Sequence, residues 1–126
     1  MLNPPEIGNA LIIEDDNIAK FFKLSLMMLW IKAHVARTTC EAYSIVQAIW
    51  IENLDVISAD WDIIGWNTRG FLELIRPIYK WTIISAPSNW DSQEIQMNQL
   101  WCDIAALRKT DVHHIIEQVI RQKIAV

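Results

Sequence analysis

Ala10-Leu11-Ile12-Ile13-Glu14-Asp15-Asp16 decides the fold, because an uninterrupted apolar run passes directly into acidic residues. So short a run is what a strand buried on both faces of a parallel sheet requires, and the change to charge marks where it leaves the core. The same ending recurs along the chain. Asp60 follows Asp55-Val56-Ile57-Ser58-Ala59, Ser85 closes Trp81-Thr82-Ile83-Ile84-Ser85, and Lys109 follows Ile104-Ala105-Ala106-Leu107-Arg108. If these runs are parallel strands, Glu14, Asp15, Asp60, Ser85 and Lys109 collect at one edge of one sheet. In open α/β folds that edge holds ligands, since the loops leaving the carboxyl ends of the strands form the crevice.

Between the apolar runs lie longer segments with helical spacing, the mark of βα units. The pattern predicts β1 at 10–14, α1 at 17–32, β2 at 33–37, α2 at 39–51 and β3 at 55–59. It continues with α3 at 69–79, β4 at 81–85, α4 at 91–101, β5 at 104–108 and α5 at 111–123. Thr38 or Thr39 can cap α2, Ser88 or Asp91 α4, and Asp111 α5. Gly70 is expected to relax the chain before α3, and Pro77 to fall near its end. The site-bearing positions are 45 apart from Asp15 to Asp60, then 25 to Ser85 and 24 to Lys109. One βα unit fills each of the later gaps and two fill the first. Right-handed crossovers with helices on both faces then give an α/β, flavodoxin-like (βα)5 three-layer sandwich, its parallel five-stranded sheet in the order 2-1-3-4-5.

Composition narrows the function. The 126 residues suit a single domain, residues 1–126, with a real core and no room for an output domain. A net charge of −4 and scattered Lys and Arg argue against nucleic acid. Cys40 and Cys102 give no disulfide framework or metal spacing, which fits a reducing, cytoplasmic setting. The N-terminus lacks the pattern of a signal peptide, and the apolar stretch from Ile18 to Ile31 contains Lys20 and Lys23 and is too short to span a bilayer. No membrane partner is expected. Seven Trp are many for this length, and some are expected at the surface.

At this point the chain resembles the CheY-like receiver domains of two-component response regulators over nearly its full length. The stretches that carry the resemblance are Leu11 to Asp16, Leu54 to Asp60, Gly70 to Leu74, Thr82 to Ala86 and Leu107 to Lys109, in order and suitably spaced. It implies that Asp60 is the phospho-acceptor, a carboxylate that attacks a phosphoryl group in line. Glu14 and Asp15 match the acidic pair that holds Mg²⁺, beside Asp60 itself and the backbone carbonyl of Asp62. Oxygen ligands and retained waters suit that ion. Ser85 matches the hydroxyl that meets a phosphoryl oxygen, Ala86 the small residue that leaves the phosphoryl group room, and Lys109 the lysine that pairs with it. Asp16 is assigned instead to the start of α1, where negative charge is favourable. The resemblance further implies Mg²⁺-dependent self-phosphorylation with slow autodephosphorylation, a histidine kinase or histidine phosphotransfer protein as donor, and output through protein contacts. Receivers often pair through the face of α4, β5 and α5, so a homodimer is open to the chain.

Three features depart from the family pattern. Ala106 stands where an aromatic residue usually follows the movement of the hydroxyl group. Thr110 replaces the usual proline after the lysine, and a cis bond there would cost about 3 kcal/mol, so a trans bond is expected. The loop from Trp61 to Gly70 is about two residues longer than usual and lacks a proline. A pseudo-receiver, keeping the fold as a phosphorylation-independent interaction or dimerisation module, therefore stands as an alternative. Asp60-Trp61-Asp62 also reads as a DxD phosphatase motif, although that motif belongs on a first strand. Singly, an acidic cluster is a solvated turn, Ser85 an ordinary strand-end hydroxyl and Lys109 a surface lysine; joint placement is what raises them. His113 and His114 lack a suitably spaced third metal ligand. Helix α1 is apolar around more of its circumference than one core-facing stripe needs, through thick packing or as a partner surface.

Overall fold

Ala10, Leu11, Ile12 and Ile13 are all completely buried, as a central strand covered on both faces must be. The computed structural model describes residues 6–59, 68–85, 102–106 and 108–125. β1 (Gly8–Ile13) lies between β2 (Ile31–Ala36) and β3 (Val56–Ala59), and β4 (Thr82–Ser85) and β5 (Ile104–Ala105) continue beyond β3. Every ladder is parallel and the order is β2-β1-β3-β4-β5, the order expected for right-handed crossovers and for the receiver resemblance.

Alternation along the strands divides the core in two. Leu11, Ile13, Ile57 and Ile83 face α2 (Thr39–Ile49) and α3 (Thr68–Ile75), where they meet Ala42, Phe71 and Leu72. Ala10, Ile12, Val56 and Ile84 face α1 (Asp16–Met28) and α5 (Val112–Ala125). From α5, Val112, Ile116 and Ile120 reach that core at a spacing of four, one stripe of the helix. Phe22 and Leu26 do the same from α1. The helix expected at 91–101, with its caps Ser88 and Asp91, lies outside the described residues. Among the described residues no helix is long and apolar enough to cross a membrane, and both cysteines are free thiols.

Several boundaries differ from expectation for identifiable reasons. α1 ends at Met28, not at 32, because Leu29 N–H turns back to Leu26 and Trp30 takes a φ of 65° that reverses the chain into β2. Ile31 then enters the sheet and is buried. α2 begins as expected, Thr38 Oγ1 accepting from Glu41 N–H at 3.1 Å, and closes at Ile49 rather than 51. Gly70 lies inside α3 rather than before it, and α3 ends at Ile75, ahead of Pro77, which has no N–H to continue the ladder. β5 pairs through Ile104 and Ala105, with Ala106 N–H reaching Ser85 O at 2.9 Å, instead of extending to 108. Alanine gives a strand little to pack with. A 3-10 turn over Lys109–Asp111 leads into α5, so Lys109 lies four positions beyond the last strand residue rather than one beyond a longer strand.

Candidate functional site at the carboxyl edge of the sheet

One row of register defines the site. Ile13 pairs with Ala59, Ala59 with Ser85, and Ser85 with Ala105, so β1, β3, β4 and β5 end side by side. Glu14 continues directly from that row and its N–H bonds Ala36 O at 3.0 Å, tying the exit of β1 to the end of β2. The Glu14 side chain is only 1 % exposed although it belongs to a carboxylate. Such a group is tolerated in the interior only with donors, a cation or a proton at hand. Asp15 is exposed, and its Oδ1 accepts from Asn17 N–H and Ile18 N–H, each at 3.1 Å. It is therefore the N-cap of α1, and Asp16 is the first helical residue. The cap holds the Asp15 carboxylate through Oδ1, one residue after Glu14.

Ser85 is completely buried, and its hydroxyl is among the groups that act on the Cys102 thiol. Burial dominates that thiol, with the Asp103 charge second, and pushes its pKa up to about 12 against the opposing effects of Arg76 and the Ser85 hydroxyl. The thiol is thus neutral at the entry to β5. Ala106 is buried in the core on the α1 and α5 side, where its methyl group meets residues such as Ile84 and Val112.

Of the residues singled out from the sequence, Glu14, Asp15 and Ser85 are brought to one edge. Asp60, Asp62 and Ala86 lie outside the described residues, as does the side chain of Lys109; Asp60 directly follows Ala59 of the end row in sequence. Among the described residues no group of three or more His, Cys, Asp or Glu stands together as a metal site. The donor set nonetheless fits Mg²⁺ in kind: Glu14 and Asp15 supply oxygen, and the third carboxylate of the expected set, Asp60, is outside that search. No cis peptide bond occurs among the described residues.

Sequence reading missed features at the opposite edge. Asp55 receives Lys123 Nζ at 2.5 Å and Asn9 N–H at 2.8 Å, joining β1, β3 and α5 across residues far apart in the chain. Tyr79 is buried and donates its hydroxyl to Leu54 O at 2.8 Å. A separation of 68 positions between Asp55 and Lys123 leaves no local signal that could have found the pair.

No protein-family model matches the sequence, and no curated protein matches it. Solved structures do. The receiver domain of the Francisella response regulator 1452 has a TM-score of 0.76 and 19 % identity, covering 92 % of this chain and 98 % of that chain. A response regulator receiver domain protein from Clostridium thermocellum has a TM-score of 0.76 and 18 % identity, covering 94 % and 99 %. A two-component response regulator from Clostridium difficile gives 0.78 and 16 %, covering 92 % and 98 %. The chain therefore has the CheY-like fold of response-regulator receiver domains, in the strand order and over the length that the resemblance implied.

Proposed function

We propose that this chain is a phosphoryl-accepting receiver, which takes the group from a histidine kinase or histidine phosphotransfer protein onto Asp60 and signals through protein contacts. The observation that supports this most is the register row that ends β1, β3 and β4 together, with the buried carboxylate of Glu14 and the capped carboxylate of Asp15 beside it. Two fixed carboxylates next to a strand that runs into Asp60 are a suitable oxygen set for a divalent cation. Glu14, Asp15, Asp60 and the backbone carbonyl of Asp62 would hold Mg²⁺, which when bound neutralises charge on phosphoryl oxygens.

In the proposed reaction a carboxylate oxygen of Asp60 attacks phosphorus, forming the new P–O bond as the bond to the donor imidazole nitrogen breaks. The imidazole leaves with its electron pair and Asp60 becomes an acyl phosphate. Lys109 supplies a positive charge for the phosphoryl oxygens, and Ala86 keeps the space beside them open. Ser85 offers its hydroxyl to a phosphoryl oxygen. Water attacking the same phosphorus returns Asp60 to its carboxylate, which gives slow autodephosphorylation. The apolar surface of α1, where Leu24, Met27 and Met28 are exposed while Phe22 and Leu26 are buried, offers the protein contact.

Beryllofluoride, a phosphoryl mimic, tests the proposal. Tryptophan emission should change on its addition with Mg²⁺ in the wild type, because Trp61 adjoins Asp60 in the chain, and should not change in Asp60→Asn. An equal response from the variant refutes acceptance at Asp60.

A pseudo-receiver is the second reading, and a specific observation favours it: Ala106 is a small residue buried inside the core, at the position where the family pattern has an aromatic switch residue. Under that reading millimolar Mg²⁺ leaves the tryptophan emission unchanged.

A further inference from the structure

Three tryptophans stand at the amino edge of the sheet, opposite the site described above. Trp30 immediately precedes β2, Trp81 immediately precedes β4, and Trp50 opens the 3-10 turn Ile51–Asn53 that leads to β3. All three are exposed, Trp50 by 69 %. Trp50 has φ 70° and ψ 126°, and Trp30 a φ of 65°. Both follow helix ends at positions where glycine relieves the backbone, yet the chain has its bulkiest residue there and leaves Trp30 about half and Trp50 mostly exposed. Burial does not explain these two residues, since neither ring belongs to the core.

The backbones of Trp30 and Trp50 and the ring of Trp81 meet residues that line one pocket at this edge, though the three tryptophans are not themselves among its lining residues. Ile7 N–H bonds Trp30 O at 2.7 Å, Asn53 N–H bonds Trp50 O at 2.9 Å, and Lys123 Nζ lies 3.9 Å from the centre of the Trp81 ring. Ile7, Asn53 and Lys123 line an open pocket of about 550 Å³, whose charged lining is completed by Glu6, Glu52 and Asp55. Lys123 is committed to Asp55, so Glu6 and Glu52 leave the opening with a negative balance.

We infer that this edge is a docking surface for a protein segment that carries Lys or Arg between aromatic or long aliphatic side chains. The cation enters the carboxylate-lined pocket and the apolar side chains lie on the indoles, an arrangement in which indole faces also attract the cation. Charge selects this occupant over two others. An anionic lipid surface meets Glu6 and Glu52 on a chain of net charge −4. A second copy of the chain, related by a two-fold axis, sets the same carboxylates against each other. The strand β1 spans about 17 Å between this edge and Glu14, so the surface is distinct from the phosphoryl site and stands whether or not Asp60 is an acceptor.

A library of random displayed peptides selected on the immobilised chain tests the inference, with the affinities of enriched peptides then measured by calorimetry. Enriched sequences should combine Lys or Arg with aromatic or aliphatic residues, and should bind Trp50→Gly and Glu52→Gln about tenfold more weakly or worse. Trp50→Gly should meanwhile melt no lower than the wild type, which separates lost contact from lost fold. Failure to enrich, an acidic or uncharged consensus, or undiminished binding to both variants overturns the inference. Sedimentation as a dimer that Trp50→Gly dissociates, or pelleting with phosphatidylglycerol vesicles, also overturns it in favour of a second copy or a lipid surface.

Discussion

Single residues show how tightly the amino edge is specified. Trp50, with φ 70° and ψ 126°, occupies a region close to the one that only glycine populates freely, and such strain costs on the order of 1–3 kcal/mol. Part of the gain from glycine is returned as chain entropy in the unfolded state. Trp50→Gly is therefore expected to stabilise the fold by about 1 kcal/mol, read as a higher urea midpoint at unchanged slope. A lower midpoint would show that the ring makes a contact worth more than the strain. Gly8 behaves oppositely. A Cβ there would lie 2.8 Å from Asp55 Oδ2 and 2.9 Å from Ile120 Cγ2, and Asp55 is fixed by Lys123 and Asn9. Gly8→Ala should cost about 1–3 kcal/mol by overpacking. A loss under about 0.5 kcal/mol would mean that Ile120 yields without effort. Thr38 as a cap was legible in the sequence because its chemistry is local. Trp30 as the end of α1 was not, because nothing in a tryptophan announces positive φ.

At the scale of elements, the strands were legible from apolar runs, and the helices from their spacing, because each depends on a periodicity within a few residues. What joins elements was less so. Tyr79 follows α3 but serves β3, since its hydroxyl reaches the carbonyl of Leu54 at the strand's entry. Burial first, and the Asp55 charge second, hold the phenol well above its ordinary pKa, so it remains a donor. Tyr79→Phe leaves that carbonyl without its buried donor and should cost about 1–2 kcal/mol in a denaturation curve. An unchanged curve would show that water or another donor takes its place. The expected β5 was too long for a similar reason: Ile104 to Leu107 reads as an apolar run, but Ala105 is exposed and the ladder stops there. A sequence run does not reveal how much of it finds a partner.

For the whole molecule, strand order followed from spacing and handedness together with the receiver resemblance, and the carboxyl-edge positions of Glu14, Asp15 and Ser85 followed from strand order. The burial that keeps the Cys102 thiol neutral was not legible, because it depends on how β5 is approached. Stability should depend on pH through two histidines. Burial, then the Lys32 charge, lowers the pKa of His34 against Glu6, and burial, then His114, lowers that of His113 against Asp111 and Glu117. Both shifts are downward from 6.5, so between that value and the folded-state values the unfolded chain binds more protons than the native one. Stability is then full above that window and falls as pH drops through it. The urea midpoint should decrease between about pH 7.5 and about pH 5.5, and decrease less in the double variant His34→Gln, His113→Gln. An equal decrease in both would place the titrating groups elsewhere.

The central claim is phosphoryl acceptance at Asp60, and the intact mass of the chain after incubation with acetyl phosphate and Mg²⁺ tests it most directly. The wild type is expected to gain the mass of one phosphoryl group, to gain none when the metal is chelated, and to lose the added mass on standing, while Asp60→Asn gains none. An unmodified wild type, or a gain of the same size in Asp60→Asn, would contradict it.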